Sequence, residues 1–236
     1  MYSEQKVLIL GIGNILWADE GFGVRALEAM QQWYEVSENV RFLDGGTQGM
    51  YLVQEVRDAD ILIVFDAIDY ALPPATMKII EGEDVPKFMG VKKVSLHQTG
   101  FQEVLALAEM MGDYPEKLLL IGVQPEEIED YGGSLRPAVR AQIQPAIDQA
   151  LSYLNGMGIV CKKRHTPLQI SGDFCSETLL GIEAYESGRP PELDACRTGD
   201  DRILKSEEFV VSDIDTESIS DAGMKVDLDH HLEKYR

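Results

Sequence analysis

Ile61-Leu-Ile-Val-Phe65 is apolar at five successive positions and is closed by Asp66. A strand with no polar side must be covered on both faces, which is the situation of a central strand in a parallel sheet flanked by helices. Val7-Leu-Ile-Leu10, stopped by Gly11, has the same character. Residues 23–34 follow with Val24, Leu27, Ala29 and Met30 at helical spacing. Val40-Arg-Phe-Leu43 reads as a strand ended by Asp44-Gly45-Gly46, and residues 50–56 as a short helix. Residues 75–80 form a further strand after Pro73-Pro74, and the short connection leading into it predicts an antiparallel edge. A helix over 101–111, a strand over 117–123 and a long closing helix over 136–154 complete the order. Strands and helices in this alternation predict an α/β fold: a three-layer αβα sandwich around a twisted, mostly parallel five-stranded sheet with one antiparallel edge strand.

Charge removes several classes of function. The 236 residues carry 41 Asp and Glu against 21 Lys and Arg, a net charge of −20. Nucleic acids and anionic membranes require a basic face, so neither is expected as a partner. No apolar run approaches the roughly 18 residues of a membrane helix. The N-terminus lacks the basic and apolar regions of a secretory signal, which predicts a cytoplasmic protein. Cys161, Cys175 and Cys196 are odd in number and widely spaced, so neither a disulfide framework nor a metal knuckle is expected. The acidity is uneven, because residues 165–236 hold the same net −10 as the first 164 in less than half the length. They also lack sustained apolar periodicity, and the expected organisation is a compact domain over 1–160 and an acidic, largely irregular tail over 161–236.

Ligands of open α/β sheets sit beyond the carboxyl ends of the strands, so the polar residues just after each strand are the site candidates. After the first strand comes Gly11-Ile-Gly-Asn14 and then Asp19-Glu20-Gly-Phe-Gly23. A helix-turn role, with Asp19 or Glu20 complementing the helix dipole, is the plain alternative there. A dinucleotide fingerprint would need a third glycine where Leu16 stands, and the two acids would repel a pyrophosphate. Asp44, at the end of the second strand, fits a ribose acid or a tight turn whose glycines let a ligand approach. Asp66 ends the most buried strand, where a carboxylate is costly unless it is paired or bound to a cation, and Asp69 is the better turn cap. His97, just before the 101–111 helix, is as a lone residue more often a cap or a hydrogen-bonded core residue than a ligand. With Glu20 and Asp66 it completes two carboxylates and one imidazole, a set suited to Ni²⁺ or Zn²⁺ with open positions. His230-His231 and the cysteines offer no comparable grouping, and neither a GxSxG elbow nor an HExxH helix is present.

The run from Val7 through Gly11-Ile-Gly-Asn14 and Trp17-Ala-Asp-Glu-Gly21, followed by Asp44-Gly-Gly-Thr-Gln-Gly49, Phe65-Asp-Ala-Ile-Asp69, Ser95-Leu-His-Gln98, Ile121-Gly-Val-Gln-Pro125 and Asp130-Tyr-Gly-Gly-Ser-Leu135, resembles the [NiFe]-hydrogenase maturation endopeptidases. The similarity is to the HyaD/HupD/HoxM type that serves membrane-bound uptake hydrogenases, and it runs continuously over about 1–160. It implies a protease that removes a C-terminal extension from the hydrogenase large-subunit precursor after nickel insertion, with that precursor and other maturation factors as partners. The family's metal-contacting positions fall on Glu20, Asp66 and His97, and the nickel would arrive with the substrate. The general base stays open between Asp44 and the two ligand carboxylates, so Asp44, Asp66 and Glu20 are the catalytic candidates. The rival readings are a nickel-sensing chaperone that binds the same precursor without cutting it and a nucleotide- or phosphate-binding α/β protein.

Overall fold

The computed structural model describes residues 5–86, 96–168 and 181–188. Two compact units divide the chain, Met1–Ala195 and Cys196–Arg236, and the second lies outside the described residues, as do Cys175 and His230-His231.

In chain order the first unit contains β1 (Val7–Ile12), α1 (Phe22–Trp33), β2 (Tyr34–Glu35), β3 (Val40–Gly46), α2 (Val53–Arg57), β4 (Ile61–Ala67) and β5 (Met77–Glu81). It continues with α3 (Leu96–Met111), β6 (Lys117–Val123), α4 (Pro137–Arg140), α5 (Ile143–Gly156), β7 (Lys162–Lys163) and α6 (Ile182–Gly188). Short 3₁₀ turns, Ala18–Gly21 and Gly49–Leu52, lead into α1 and α2. The main sheet has the order β3-β1-β4-β6-β5; the first four strands are mutually parallel and β5 runs antiparallel to β6 at the edge. Five strands is the number that the apolar runs predict, and the one antiparallel edge is the one predicted from the short connection after Pro73-Pro74. Every residue of β1 and of β4 is buried.

Alternation along the strands feeds two cores. Ile9, Ile61, Ile63, Phe65 and Ile121 face α1 and α5, meeting Phe22, Leu27, Met30 and Leu154. Leu8, Leu10, Leu62, Val64 and Leu120 face the other way, against Val56, Phe101, Val104 and Leu105 of α2 and α3. Each such side chain contributes about 1.5–3 kcal/mol on leaving water, so the sheet is held firmly from both sides.

Three features depart from the sequence pattern. The single closing helix over 136–154 is two helices, α4 and α5. Pro145 explains the break: its ring excludes a helical carbonyl four residues earlier, at Ala141, so it is accommodated only in the first turn of a new helix. The helix expected over 101–111 begins at Leu96 and takes His97 into its first turn. Past residue 160, where an irregular tail is expected, the described residues add structure to the domain. Lys162 and Lys163 pair antiparallel with Glu35 and Tyr34, and the amides of Arg164 and Leu168 donate to the carbonyls of Trp33 and Gln32. A two-residue ribbon has no periodicity to detect, and α6 is short enough that its contacts, rather than its propensity, hold it.

Candidate active site

The carboxyl end of the sheet is shaped by close backbone approaches. A side chain at Gly23 would place its Cβ 2.2 Å from the carbonyl oxygens of both Ile12 and Phe65, so only glycine lets α1 start directly on the ends of β1 and β4. At Gly13, φ is +139° and a Cβ would lie 1.8 Å from the Glu20 carbonyl oxygen. These two positions fold the Ala18–Gly21 turn back onto the strand ends and bring Glu20 over β4.

The turn is strained and pinned. Ala18 has φ +43°, a left-handed conformation that costs a non-glycine residue on the order of 1 kcal/mol. Asp19 offsets it. Its carboxylate, with no exposed surface, accepts hydrogen bonds from the backbone amides of Glu126 and Glu127 (both 2.9 Å) and of Arg136 (2.7 Å). The helix-dipole role considered for Asp19 is therefore replaced by a clamp on the loop after β6. Glu20 is half-buried, and its amide donates to the Trp17 carbonyl at 2.9 Å.

Asp66 is the penultimate residue of β4, opposite Gly122 of β6, and is completely buried. Burial pushes its carboxyl well above the ordinary carboxylate range; the Ala67 amide lowers it in part, and the negative charge of Glu20 raises it further. Tyr70 packs on Gly122, and its phenol is pushed up, first by burial and then by the Asp66 charge. Glu20 and Asp66 are thus electrostatically coupled carboxyl groups at one place, two of the three residues expected to act together.

Asp44 stands at the end of β3, half-buried, and accepts from the Gly46 amide at 2.8 Å in a tight turn. Its charge also bears on Glu28 of α1. Glu28 forms a buried ion pair with Arg25 at 2.9 Å, and its carboxyl is raised by burial, lowered by Arg25 and raised again by Asp44. His97 is the second residue of α3, and its side chain lies outside the described ones. The backbone places it one turn before Gly100, against which Gly49 of the loop after β3 packs, with a Cβ on Gly49 only 3.9 Å from the Gly100 Cα. Among the described residues no three His, Cys, Asp or Glu side chains gather into a metal site. The Glu20 charge raises the proton affinity of Asp66, and a divalent cation would reverse that repulsion.

Gln124 is a structural determinant of the site that the strand pattern does not flag. Its Oε1 accepts from the amides of Tyr70 (2.7 Å) and Leu72 (3.2 Å), and its Nε2 donates to Asp69 (3.0 Å), fixing the loop that leaves Asp66. Its place one residue after a buried strand was the available signal. Asp69 caps the same loop through the Ala71 amide at 2.8 Å, as the sequence suggests.

Comparison with known proteins supplies an independent reading. The sequence model of the hydrogenase maturation protease family, HycI, matches residues 24–153. The hydrogenase expression/formation protein HupD of Thiocapsa roseopersicina is 59% identical over 206 residues, 87% of this chain and 93% of that protein. The hydrogenase 2 maturation protease of Escherichia coli (strain K12) is 43% identical over 155 residues, 65% of this chain and 93% of its own. In structure, the hydrogenase maturating endopeptidase HybD from E. coli matches with a TM-score of 0.65 and 42% identity, covering 67% of this chain and 98% of that one. Among the described residues no helix is long and apolar enough to cross a membrane.

Proposed function

Because the chain belongs to the hydrogenase maturation protease family, we propose that it is an endopeptidase that removes the C-terminal extension of a [NiFe]-hydrogenase large-subunit precursor once nickel has been inserted, with the precursor's nickel as its recognition element. The observation that carries this reading is the buried Asp66 carboxyl at the mouth of the sheet, which burial and the neighbouring Glu20 charge make costly to ionise without a cation. Glu20, Asp66 and His97 are the residues that would hold the nickel borne by the precursor. Held there, the ion would supply orientation of the precursor's tail and Lewis-acid polarisation of the peptide to be cut. A borderline divalent ion accepts this mixture of two oxygens and one imidazole nitrogen.

The chain's own residues supply the rest. A cation offsets the cost of ionising the buried Asp66 carboxyl, so the loaded precursor gains an interaction at the site that precursor without nickel does not. That difference makes nickel a checkpoint. The Asp19 clamp and the glycine contacts fix Glu20, so that one bond of the precursor is presented to water rather than a range of them. Asp44 or one of the two ligand carboxylates takes the proton from the attacking water.

The test is cleavage of nickel-loaded and nickel-free precursor by the wild type and by His97→Ala, read by intact mass. A C-terminal peptide should be lost from the loaded precursor alone, and only with His97 present. Binding of loaded precursor without any loss of mass would replace the protease with a non-cleaving maturation chaperone.

A further inference from the structure

The turn that carries Glu20 is held on one side by Asp19, and a second set of contacts reaches it from the far end of the described chain. Glu186 of α6 accepts a hydrogen bond from the Ser134 hydroxyl at 2.7 Å through Oε1 and pairs with the Arg140 guanidinium through Oε2. The neighbouring Tyr185 donates its hydroxyl proton to the Gly133 carbonyl at 3.4 Å, and its ring lies 5.7 Å from the guanidinium carbon of Arg25 on α1. Both α6 residues therefore seize the loop after β6 at Gly133 and Ser134, 52 residues distant in sequence, and Glu186 also holds Arg140 of α4, 46 residues away.

That loop is the one on which the Glu20 turn rests. Trp17 forms isolated β-bridges to Tyr131 and Gly133, and the Gly132 amide donates to the Leu16 carbonyl at 2.7 Å. The rings of Trp17 and Tyr131 meet edge to face, 5.2 Å between centroids. Asp19 donates its amide to the Glu127 carbonyl at 3.0 Å, besides accepting from Arg136. A continuous set of directed contacts thus runs from α6, through Gly133 and Ser134, to Trp17 and Asp19, and ends one residue before Glu20. Ala18 stays in its strained conformation only while the surroundings hold it.

We infer that α6 is a positioning latch for the Glu20 turn, with Glu186 and Tyr185 as its positioning residues, and that releasing it lowers turnover without unfolding the sheet. This rests on the reading of Glu20 as part of a proteolytic site, and it deepens that reading. None of the latch residues needs to touch the precursor. Their effect passes through the loop of residues 130–136, whose amide and carbonyl groups set where the turn sits over β4.

The experiment uses the full chain with Trp33→Phe, which leaves Trp17 as the sole tryptophan, and compares it with Glu186→Ala and Glu186→Gln in that background. Two readouts are taken: acrylamide quenching of Trp17 fluorescence, and kcat and KM for cleavage of loaded precursor. Glu186→Ala loses both the Ser134 and the Arg140 contacts, so Trp17 quenching should rise and kcat should fall by roughly ten- to a hundredfold, the cost of a displaced catalytic group, with KM little changed. Glu186→Gln keeps an acceptor for Ser134 and should recover most of both. The latch is overturned if quenching in Glu186→Ala equals that of its parent, or if quenching rises while kcat is unaltered. If quenching behaves as described but the Trp33→Phe parent and wild type cut no precursor, the latch contacts stand and the proteolytic reading is what fails.

Discussion

The turn after β1 and the lip of β4 each bury an aspartate completely at the carboxyl end of the same sheet, and they surround it in opposite ways. Asp19 receives three backbone amides, from Glu126, Glu127 and Arg136. Asp66 is offered the Ala67 amide, low-dielectric surroundings and the negative charge of Glu20, so its carboxyl is driven well above the ordinary range. A charge given three donors stabilises the fold it joins, whereas a charge held in apolar surroundings beside another of its own sign costs stability. The first arrangement marks a structural carboxylate. The second is the arrangement that the proposed function reads as kept ready for a cation borne by the precursor.

The sharpest way to break this contrast is Asp66→Asn. Cleavage of loaded precursor should drop by at least about a hundredfold, the scale on which loss of one preorganised electrostatic group is felt. Stability should move the other way. Since the native carboxyl holds its proton to a higher pH than the unfolded one, the folded state binds more protons between those two values, and wild-type stability falls as the pH climbs through that window. Asparagine has no proton to lose. The melting temperature of Asp66→Asn, measured on chelator-treated protein, should therefore pull ahead of wild type as pH rises from below about 3.9, and the two should converge in acid. A variant that melts lower at neutral pH would show that Asp66 serves the fold, and the contrast would collapse.

Asp19→Ala probes the other half. It abandons three amides in a buried turn and should cost about 3 kcal/mol or more, visible as a clear fall in the urea midpoint. Cleavage should fall because the turn loosens, and part of it should return at lower temperature. An unchanged midpoint would mean that water replaces the carboxylate freely and that the clamp is not structural.

What could be read in the sequence divides along the same line. Asp66 was legible because the cost of a carboxylate after five apolar residues follows from local sequence alone. The five strands were legible for the same reason, since apolar runs announce burial, and the antiparallel edge from the short connection after Pro73-Pro74. Asp19 was not, because its donors come from residues 107 to 117 positions away and no spacing within the turn points to them. Gln124, the ribbon of β2 with β7, and α6 are likewise defined by partners distant in sequence. The division of the closing helix was available in Pro145 and was outweighed there by the regular apolar spacing from Val139 to Leu154. Glycine contacts such as Gly23 against Phe65 could be suspected from the Gly-rich turn, but which backbone they admit is a tertiary fact.

The mildest test concerns the start of α3, which bears His97, and it separates two glycines that face each other. Gly49 has φ +52°, so alanine there meets a left-handed backbone and should cost about 1 kcal/mol. Gly100 lies within α3, where a Cβ would sit 3.4 Å from the Gly49 Cα, an ordinary contact, and where alanine favours the helix by about 0.8–1.0 kcal/mol. Gly49→Ala should therefore lower the urea midpoint and Gly100→Ala should raise it. Their effects on cleavage should be alike, a slowing of no more than about threefold, because either methyl group fills the space where the α3 start faces the loop after β3 and must only be accommodated at ordinary contact distance. Opposite signs in stability with a shared sign in turnover would assign the effect to the placement of His97. If instead turnover tracks stability in the two variants, the Gly49–Gly100 approach matters only to folding, and α3 reaches the site with room to spare.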